Sequence, residues 1–401
     1  MKRLLSLILV LLANQVIYSQ IQIKGRVLDS ITNTPLTGVS IYVNGSGIGT
    51  TSDNAGNFNL TINQSSQLLV FSSVGFKSVT ITVTPNGNYT NLVIRMVSKE
   101  TELDTVIVKS KKYKTVHSKS WKEKFLAYFI GTGDRAKYCK IKNFSDIVLM
   151  VSKDGQTLKA QSDKPIEIIN KWLGYKLYFN IEECYTKLNT GIVVNYGFTR
   201  FEDISNSDKK YEQRRHDLYL GSITHFIKSL YNNNLQEQGF YIRRATIDTN
   251  YERLRVLYLI NDKKNNSSLD AKSETLRIAN SSPDSSKYYY QLYVRQKNLI
   301  TTYQNSILNA DDILITDLEV VKEMHFKNYI AIAYDPPLNK LNNNDIYEDS
   351  KTKQLSLLSL VNDNSVFIFP NGQLTPPNVL FIQGEWKESN CIKNLMPFDY
   401  N

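Results

Sequence analysis

The chain has 401 residues, 41% of them hydrophobic and 21% charged, with a formal net charge of +10. That length and apolar share exclude a disordered chain and leave room for two or three domains of ~150 residues, each with its own core. The charge excess sits in one stretch instead of covering a domain, which excludes an extended nucleic-acid-binding surface as the working expectation.

Met1-Lys2-Arg3 supplies a positive start, residues 4–13 an uncharged apolar run, and Ser19 a small residue before Gln20. This is the pattern of a signal peptide over residues 1–19, so the mature chain is expected to be exported, to the periplasm or the outer membrane. The alternative is an uncleaved N-terminal anchor. A membrane-spanning helix needs about 20 apolar residues, and the run is shorter. No cysteine stands directly after it, so a lipid-modified N-terminus is not expected.

Residues 20–98 read as short alternating strands between Gly-, Pro- and Asn-rich turns, the pattern of a small β-sandwich. Ile21 and Ile23 alternate with polar neighbours, as do Val39, Ile41 and Val43, then Phe58, Leu60 and Ile62, then Val79, Ile81 and Val83, then Leu92, Ile94 and Met96. Period two puts each set on one sheet face, toward the core. Asn54-Ala55-Gly56-Asn57 reads as a tight turn that Asp53 holds through backbone amides, and Asp53 and Asp29 are the aspartates that could be taken for calcium ligands. Calcium needs six to eight oxygen ligands, and neither aspartate has that company.

Lys24-Gly25-Arg26-Val27, Pro35-Leu36-Thr37-Gly38, Gly49-Thr50-Thr51-Ser52-Asp53 and Val70-Phe71-Ser72-Ser73-Val74-Gly75-Phe76 together resemble a carboxypeptidase-regulatory-like domain, a transthyretin-like sandwich. The resemblance implies that fold and an envelope location, because such domains also stand at the N-termini of outer-membrane receptors. It implies no activity.

Residues 99–120 read as a basic linker. Asp104, Thr105, Val106, Ile107 and Val108 form an extended β-branched segment that resembles the short box through which such receptors meet the energy-coupling protein TonB. A segment of this kind can add itself to a partner's sheet edge, or can be a last strand or linker. Between residues 104 and 124 stand seven lysines against Asp104 and Glu123, with Lys109, Lys111, Lys112 and Lys114 as candidate contacts to an anionic membrane surface. The alternative is a solvated linker. A receptor barrel of about 22 strands does not fit in the remainder of the chain.

Residues 121–401 read as a larger mixed α+β domain, so the fold class is mainly β with some α. A short helix is expected at 121–130, strands at 144–151 and 166–169, and a strand pair at 174–181 and 191–198 joined through Asn189-Thr190. A polar helix comes next, near 207–219. The clearest helix covers 222–231, where Ile223, Phe226, Ile227, Leu230 and Tyr231 make one apolar face. Gly239 marks a change to strand at Phe240. From Leu254 onward the pattern reads mostly β, with strands at 254–260, 288–294, 313–318 and 329–334. Val366-Phe367-Ile368-Phe369 and Val379-Leu380-Phe381-Ile382 read as a hairpin-like pair about Asn371-Gly372. Residues 262–284 and 339–353 read as exposed loops. Phe129-Ile130-Gly131-Thr132, Leu173-Gly174-Tyr175-Lys176, Phe369-Pro370-Asn371-Gly372 and Gly384-Glu385-Trp386 make this region similar to a family of exported Bacteroidetes-type proteins without an established activity.

Catalytic motifs do not emerge. His117, His216, His225 and His325 are succeeded three positions on by Ser120, Tyr219, Lys228 and Asn328, so the His-x-x-Glu start of a metallocarboxypeptidase zinc site is missing. Gly45-Ser46-Gly47 fails the spacing of a serine nucleophile elbow and lies in a sandwich turn. Glu182 and Glu183 are adjacent on a strand and point to opposite faces. His225 lies off the apolar face and reads as a surface residue, and His216 reads as solvated. Cys139, Cys184 and Cys391 read as small buried apolar residues; a disulfide, where export allows one, would join Cys139 and Cys184. The 25 tyrosines, among them Tyr175, Tyr178, Tyr288, Tyr289, Tyr290 and Tyr293, read as strand packing, with a ligand-gripping face as the alternative.

The expectation is therefore a non-catalytic envelope protein with no cofactor and no metal. The sandwich would be a docking or spacer module and the C-terminal region a binding or assembly module. Its partners would be an envelope protein or outer-membrane transport component, or an anionic membrane surface, and not nucleic acid. The alternatives are a peptide or glycan hydrolase and an accessory partner of TonB-dependent transport.

Overall fold

The alternation at the N-terminus produces two sheets. Strands β1 (Gln20–Asp29), β4 (Asn57–Asn63) and β7 (Leu92–Met96) form one in the order β4-β1-β7. Strands β2 (Ser40–Val43), β3 (Gly49–Thr51), β5 (Gln67–Ser72) and β6 (Val79–Val83) form the other in the order β3-β2-β5-β6. Their inner faces share one core that includes Ile23, Val27, Ile41, Leu60, Phe71 and Met96. In β4 every second residue is buried, as the period-two reading requires. β1 lies antiparallel to β4 and parallel to β7. Gly25 permits the second pairing, because a Cβ there would stand 2.2 Å from the Leu92 carbonyl oxygen. Asp53 Oδ1 accepts from the N–H groups of Ala55 and Asn57 at 2.9 and 2.8 Å, and Asp29 Oδ1 does the same for Ile31 and Thr32.

This computed structural model describes residues 20–63, 67–99, 112–206, 208–266, 288, 292, 296–318, 320–335, 354–389 and 391–400. The sequence-predicted segment of Asp104 to Val108, with Lys109 and Lys111, lies outside them. Among them, no helix is long and apolar enough to cross a membrane.

Part of the expected linker belongs to a sheet. β8 (Tyr113–Thr115) pairs with β10 (Val148–Ser152) at the edge of a seven-stranded sheet. β11 (Thr157–Gln161), β12 (Ile166–Asn170), β9 (Cys139–Ile141) and the long hairpin of β13 (Tyr175–Lys187) and β14 (Ile192–Asp203) complete it. Residues 144–146, expected as strand, form a 3₁₀ turn before β10. The expected pair at 174–181 and 191–198 is this β13–β14 hairpin, longer than read and bulged between Ile181 and Glu183. Helix α1 (Lys119–Phe129) lays Phe125 and Phe129 on the sheet, and the Phe129 ring meets Phe179 edge-on at 5.5 Å.

Helices α2 (Lys209–Tyr219) and α3 (Ile223–Tyr231) lead to a second core. It gathers a five-stranded sheet of β15 (Phe240–Thr249), β16 (Leu299–Leu308), β19 (Tyr329–Tyr334), β20 (Gln354–Leu360) and β23 (Leu380–Gly384), and a four-stranded sheet of β17 (Leu314–Asp317), β18 (Lys322–Met324), β21 (Val366–Ile368) and β22 (Leu374–Thr375). Ser222 caps α3 by accepting from the His225 N–H, and Phe226, Ile227 and Leu230 are fully buried, as their spacing predicts. The region expected as one domain thus holds two cores, and Ile392, near the end of the chain, returns to the first.

One strand expectation and one strand pairing fail. Residues 254–260 lie in helix α4 (Tyr251–Asn266), because Asn250 caps it: its Oδ1 accepts from Arg253 N–H and its carbonyl from Leu254 N–H. An apolar run alone does not separate helix from strand. Residues 262–266 of an expected loop continue that helix. Of 288–294, only Tyr288 and Leu292 are described, and both are helical. β21 pairs with β22, and β23 pairs with β20, so the expected hairpin between β21 and β23 does not form. The loop at 339–353 lies outside the described residues.

The polar helix α2 buries Arg215. Its guanidinium makes two hydrogen bonds to Asp203, at 2.8 and 3.1 Å, reaches the Leu173 and Gly174 carbonyls, and lies 3.8 Å over the Tyr175 ring. Burial works against the Asp203 charge, but the bonds from Arg215 and Ser205 prevail and hold its carboxyl at about 2. The three cysteines are free thiols. Burial pushes Cys139 and Cys184 up to about 12 and Cys391 up to about 11, which leaves them poor nucleophiles.

Phe71 is fully buried and meets the Phe58 ring edge-on at 5.4 Å. Phe71→Ala is expected to cost about 3–5 kcal/mol, read as a lower urea midpoint by circular dichroism.

Candidate functional site

β2 and β5 depart from strict alternation, because Tyr42, Leu68 and Val70 are buried on the face that points away from the N-terminal core. What covers them is β14. Phe198 and Tyr196 pack on this face, and Asn180 Nδ2 on the neighbouring β13 donates to the Tyr42 hydroxyl at 2.6 Å. Burial drives the Tyr42 phenol well above its ordinary range. Ser78 Oγ adds a bond to Glu182 Oε1 at 2.7 Å.

The turn after β2 locks the contact. Gly45 N–H donates to the Thr199 carbonyl at 2.7 Å, and Thr199 N–H donates to Asn44 Oδ1 at 2.9 Å. Phe201 N–H donates to the Ser46 carbonyl at 2.9 Å, and Phe398 N–H to the Gly45 carbonyl at 2.7 Å. Gly45 has φ +67°, and a Cβ there would lie 2.1 Å from the Phe398 ring, so the position needs glycine on both counts. The sequence pattern reveals this turn but not its role. The signal is present as the apolar runs Ile41-Tyr42-Val43 and Leu68-Leu69-Val70-Phe71, which mark strands covered on both faces.

Next to this junction lies a cavity of about 440 Å³. Its walls come from the N-terminal sheets (Asn44, Leu68), from β14 (Phe198, Phe201), from the α2–α3 corner, from Trp386 and from the C-terminal segment. Of its charged lining residues, Asp217 and Glu385 are exposed and Arg135 is half-buried, stacked 5.3 Å over the Trp172 ring.

The α2–α3 corner holds two buried bases. His225 is 4% exposed, not a surface residue as its helical position predicts, because α3 is enclosed on nearly every side. Its Nδ1 accepts from the Gly221 N–H at 3.1 Å, so the proton resides on Nε2, which meets Gln238 Oε1 at 3.1 Å. Burial holds its pKa below the ordinary value. Lys228 donates to the Tyr400 carbonyl at 2.6 Å, and burial pulls its pKa down to about 8 against the pull of Asp399. His216 is exposed, as expected.

Other sequence candidates are not brought together. Lys112 and Lys114 are exposed beside and on edge strand β8. Tyr175 is buried under Arg215, the Tyr178 ring is covered by Arg200 at 4.1 Å, and the Tyr288 hydroxyl donates to Glu252 at 2.6 Å. Tyr289, Tyr290 and Tyr293 lie outside the described residues. Among those described, no group of three or more His, Cys, Asp or Glu side chains could hold a metal ion.

Residues 23–108 match the family model of the CarboxypepD_reg-like domain. The chain is 32% identical over 108 residues to TonB-dependent receptor P3 of Formosa agariphila, a match that spans 27% of this chain and 10% of the receptor's length. Among solved structures it resembles a protein of Bacteroides fragilis described as membrane-associated and of unknown function, at 11% identity and a TM-score of 0.17, over 87% of this chain and 93% of that one. It also resembles a DUF3823 family protein of Bacteroides ovatus, at 10% identity and a TM-score of 0.17, over 47% of this chain and 83% of that one. Scores this low carry no argument about the fold.

Gly45→Ala is expected to lose about 1–2 kcal/mol from the left-handed backbone alone, and more from the clash with Phe398; limited proteolysis should then release the C-terminal segment sooner. Lys228 gives a pH test. Its folded pKa is depressed, so below about pH 8 both states are protonated and the burial cost is fully present. Between about 8 and the ordinary 10.5 the unfolded chain binds more protons, so stability rises with pH. Urea midpoints of the wild type should climb over this window, and those of Lys228→Met should climb less.

Proposed function

We propose that this chain is a non-catalytic, exported protein of the bacterial cell envelope. In this reading residues 1–19 are a signal peptide and residues 20–98 a transthyretin-like β-sandwich. The rest of the chain is a binding module of which that sandwich forms one wall, not a free spacer. The match of residues 23–108 to the CarboxypepD_reg-like domain and the likeness to a TonB-dependent receptor support the envelope location.

The observation that carries the binding role is the contrast between the buried bases and the cavity. A general base must reach a proton on a substrate. Both ring nitrogens of His225 are engaged within the frame, and Lys228 binds the main chain of Tyr400. Neither lines the cavity, and the charged groups that do line it are not among the fully buried ones. This favours holding a molecule over transforming one, and so favours a binding protein over a peptide or glycan hydrolase.

The family match runs to residue 108, so Asp104, Thr105, Val106, Ile107 and Val108 fall inside it. The likeness to a TonB-dependent receptor supports the second reading, in which this segment meets a component of TonB-dependent transport. Lys112 and Lys114, exposed next to it, are available to an anionic membrane face.

The mature protein is expected in the envelope fraction, and its release by salt tests the lysines. The Debye length falls from about 10 Å at 0.1 M to about 3 Å at 1 M salt, so a lysine-held protein should wash off without detergent. Retention at 1 M salt would remove the lysines as the anchor. Turnover of a peptide or glycan by purified protein, abolished by one carboxylate or cysteine substitution, would overturn the non-catalytic reading.

A further inference from the structure

Two apolar cores end at the same open space. Leu220, Ile223 and Ile382 pack on the core around α3 and are only half-buried, and Leu218, Leu395 and Met396 do the same on the core of the seven-stranded sheet. All six line the cavity at the junction. The seam between the cores is therefore not closed by these side chains. Apolar surface left facing water forgoes about 25 cal/mol per Å² of the stabilisation that burial would give.

The polar side chains of the lining are turned to the frame. Asn44 Oδ1 accepts from the Thr199 N–H, Ser222 Oγ accepts from the His225 N–H, and Asn195 Nδ2 donates to the Tyr128 carbonyl. The Trp386 indole N–H is given to the Gly221 carbonyl, so its ring offers apolar surface alone. The side-chain oxygens of Gln373, Ser389 and Asn394 are sealed from the cavity.

One charge breaks this pattern. Arg135 lines the cavity half-buried, with its guanidinium 5.3 Å over the Trp172 ring, and Arg214 stands 5.5 Å over the same ring. Among the described residues neither arginine forms an ion pair. Two guanidiniums on one ring repel each other, and an anion beside Trp172 would relieve that repulsion. The carboxylates of the lining, Asp217 and Glu385, are exposed, where water and salt screen them.

From this we infer that the cavity binds a single-chain amphiphile with an anionic head, of the fatty-acid class. The acyl chain would fill the seam between the two cores, and the carboxylate would meet Arg135. The volume of about 440 Å³ falls in the range of small-molecule sites, roughly 300–1,000 Å³. The inference rests on the reading of the chain as a binding protein.

Two of the chain's three tryptophans, Trp172 and Trp386, line the cavity, so intrinsic fluorescence is a direct readout. The full mature chain is titrated with laurate, dodecyl maltoside, dodecyltrimethylammonium and acetate, each amphiphile below its micelle-forming concentration. Thermal unfolding is recorded in parallel. Laurate should give a saturable fluorescence change and a higher unfolding temperature, and acetate neither. The neutral and cationic dodecyl compounds share the chain but not the head, and should bind at least tenfold more weakly. Arg135→Gln should bring laurate down to the level of dodecyl maltoside and leave dodecyl maltoside unchanged, whereas a merely structural role would weaken both. If that variant does not fold, the series of heads carries the same test. Leu218→Glu should abolish the binding of every dodecyl compound, and Met396→Glu replaces it if Leu218→Glu does not fold. Absence of saturable laurate binding overturns the site but leaves the envelope assignment standing. Equal binding of the three dodecyl compounds overturns the anionic head, and acetate binding as tight as that of laurate overturns the acyl chain. Turnover of an acyl ester such as p-nitrophenyl laurate would instead overturn the non-catalytic reading and leave the site intact.

Discussion

The docking of one turn onto one strand joins the N-terminal sheets to the rest of the described residues. Gly45 exchanges main-chain hydrogen bonds with Thr199 and with Phe398, so three segments far apart in sequence meet at a single residue. A surface turn ordinarily leaves its amide and carbonyl to water. Here both are buried in protein and both are satisfied, which main-chain groups require. Once the turn is held, the outer faces of β2 and β5 must lie on β14, and Tyr42, Leu68 and Val70 become interior residues. The same sheet taken alone would present them to solvent as an apolar patch.

Buried charged groups reinforce this assembly. Arg215 joins α2 to Asp203 and to the Leu173 and Gly174 carbonyls. Lys228 joins α3 to Tyr400, and Lys393 joins the C-terminal segment to Thr132 and Glu388. A buried ion is costly unless its partners are complete. Each of these bonds therefore favours one placement of a distant segment over others that apolar packing alone would tolerate. His225 belongs to the same class. Its ring is surrounded by Tyr219, Phe240 and Tyr334, and both nitrogens serve the frame. The perturbed titrations in this corner have structural causes, burial above all.

Much of the local structure is legible in the sequence. Alternation places β1, β4 and β7 correctly because each has one buried face, and the Asp53 turn and the Ser222 cap arise from side chains that bond to nearby amides. The failures share a cause: the deciding neighbour is remote in sequence. His225 lies off the apolar face of α3, yet is buried because Gln238, Phe240 and Tyr334 close over it. Arg215 on a polar helix is buried because a carboxylate from the end of β14 meets it. α4 reads as a strand because its apolar run has no period that separates the two, and only the Asn250 cap decides. β8 is hidden among lysines because an edge strand of three residues carries almost no pattern. The candidate site is illegible for the same reason: its walls are drawn from many segments far apart in sequence, and none carries a motif of its own.

That mode of construction bears on why the N-terminal sheets stay with the rest of the chain. A spacer can be exchanged for any folded unit of similar length. A wall cannot, because Asn44 and Leu68 line the cavity while Asn44 also bonds to Thr199 on the strand that forms the opposite side. Loss of the docked turn would open the cavity along its length and uncover the aromatic surface of Phe198. Closure of the junction and the shape of the cavity are therefore one requirement on the same few residues, and Gly45 stands at its centre.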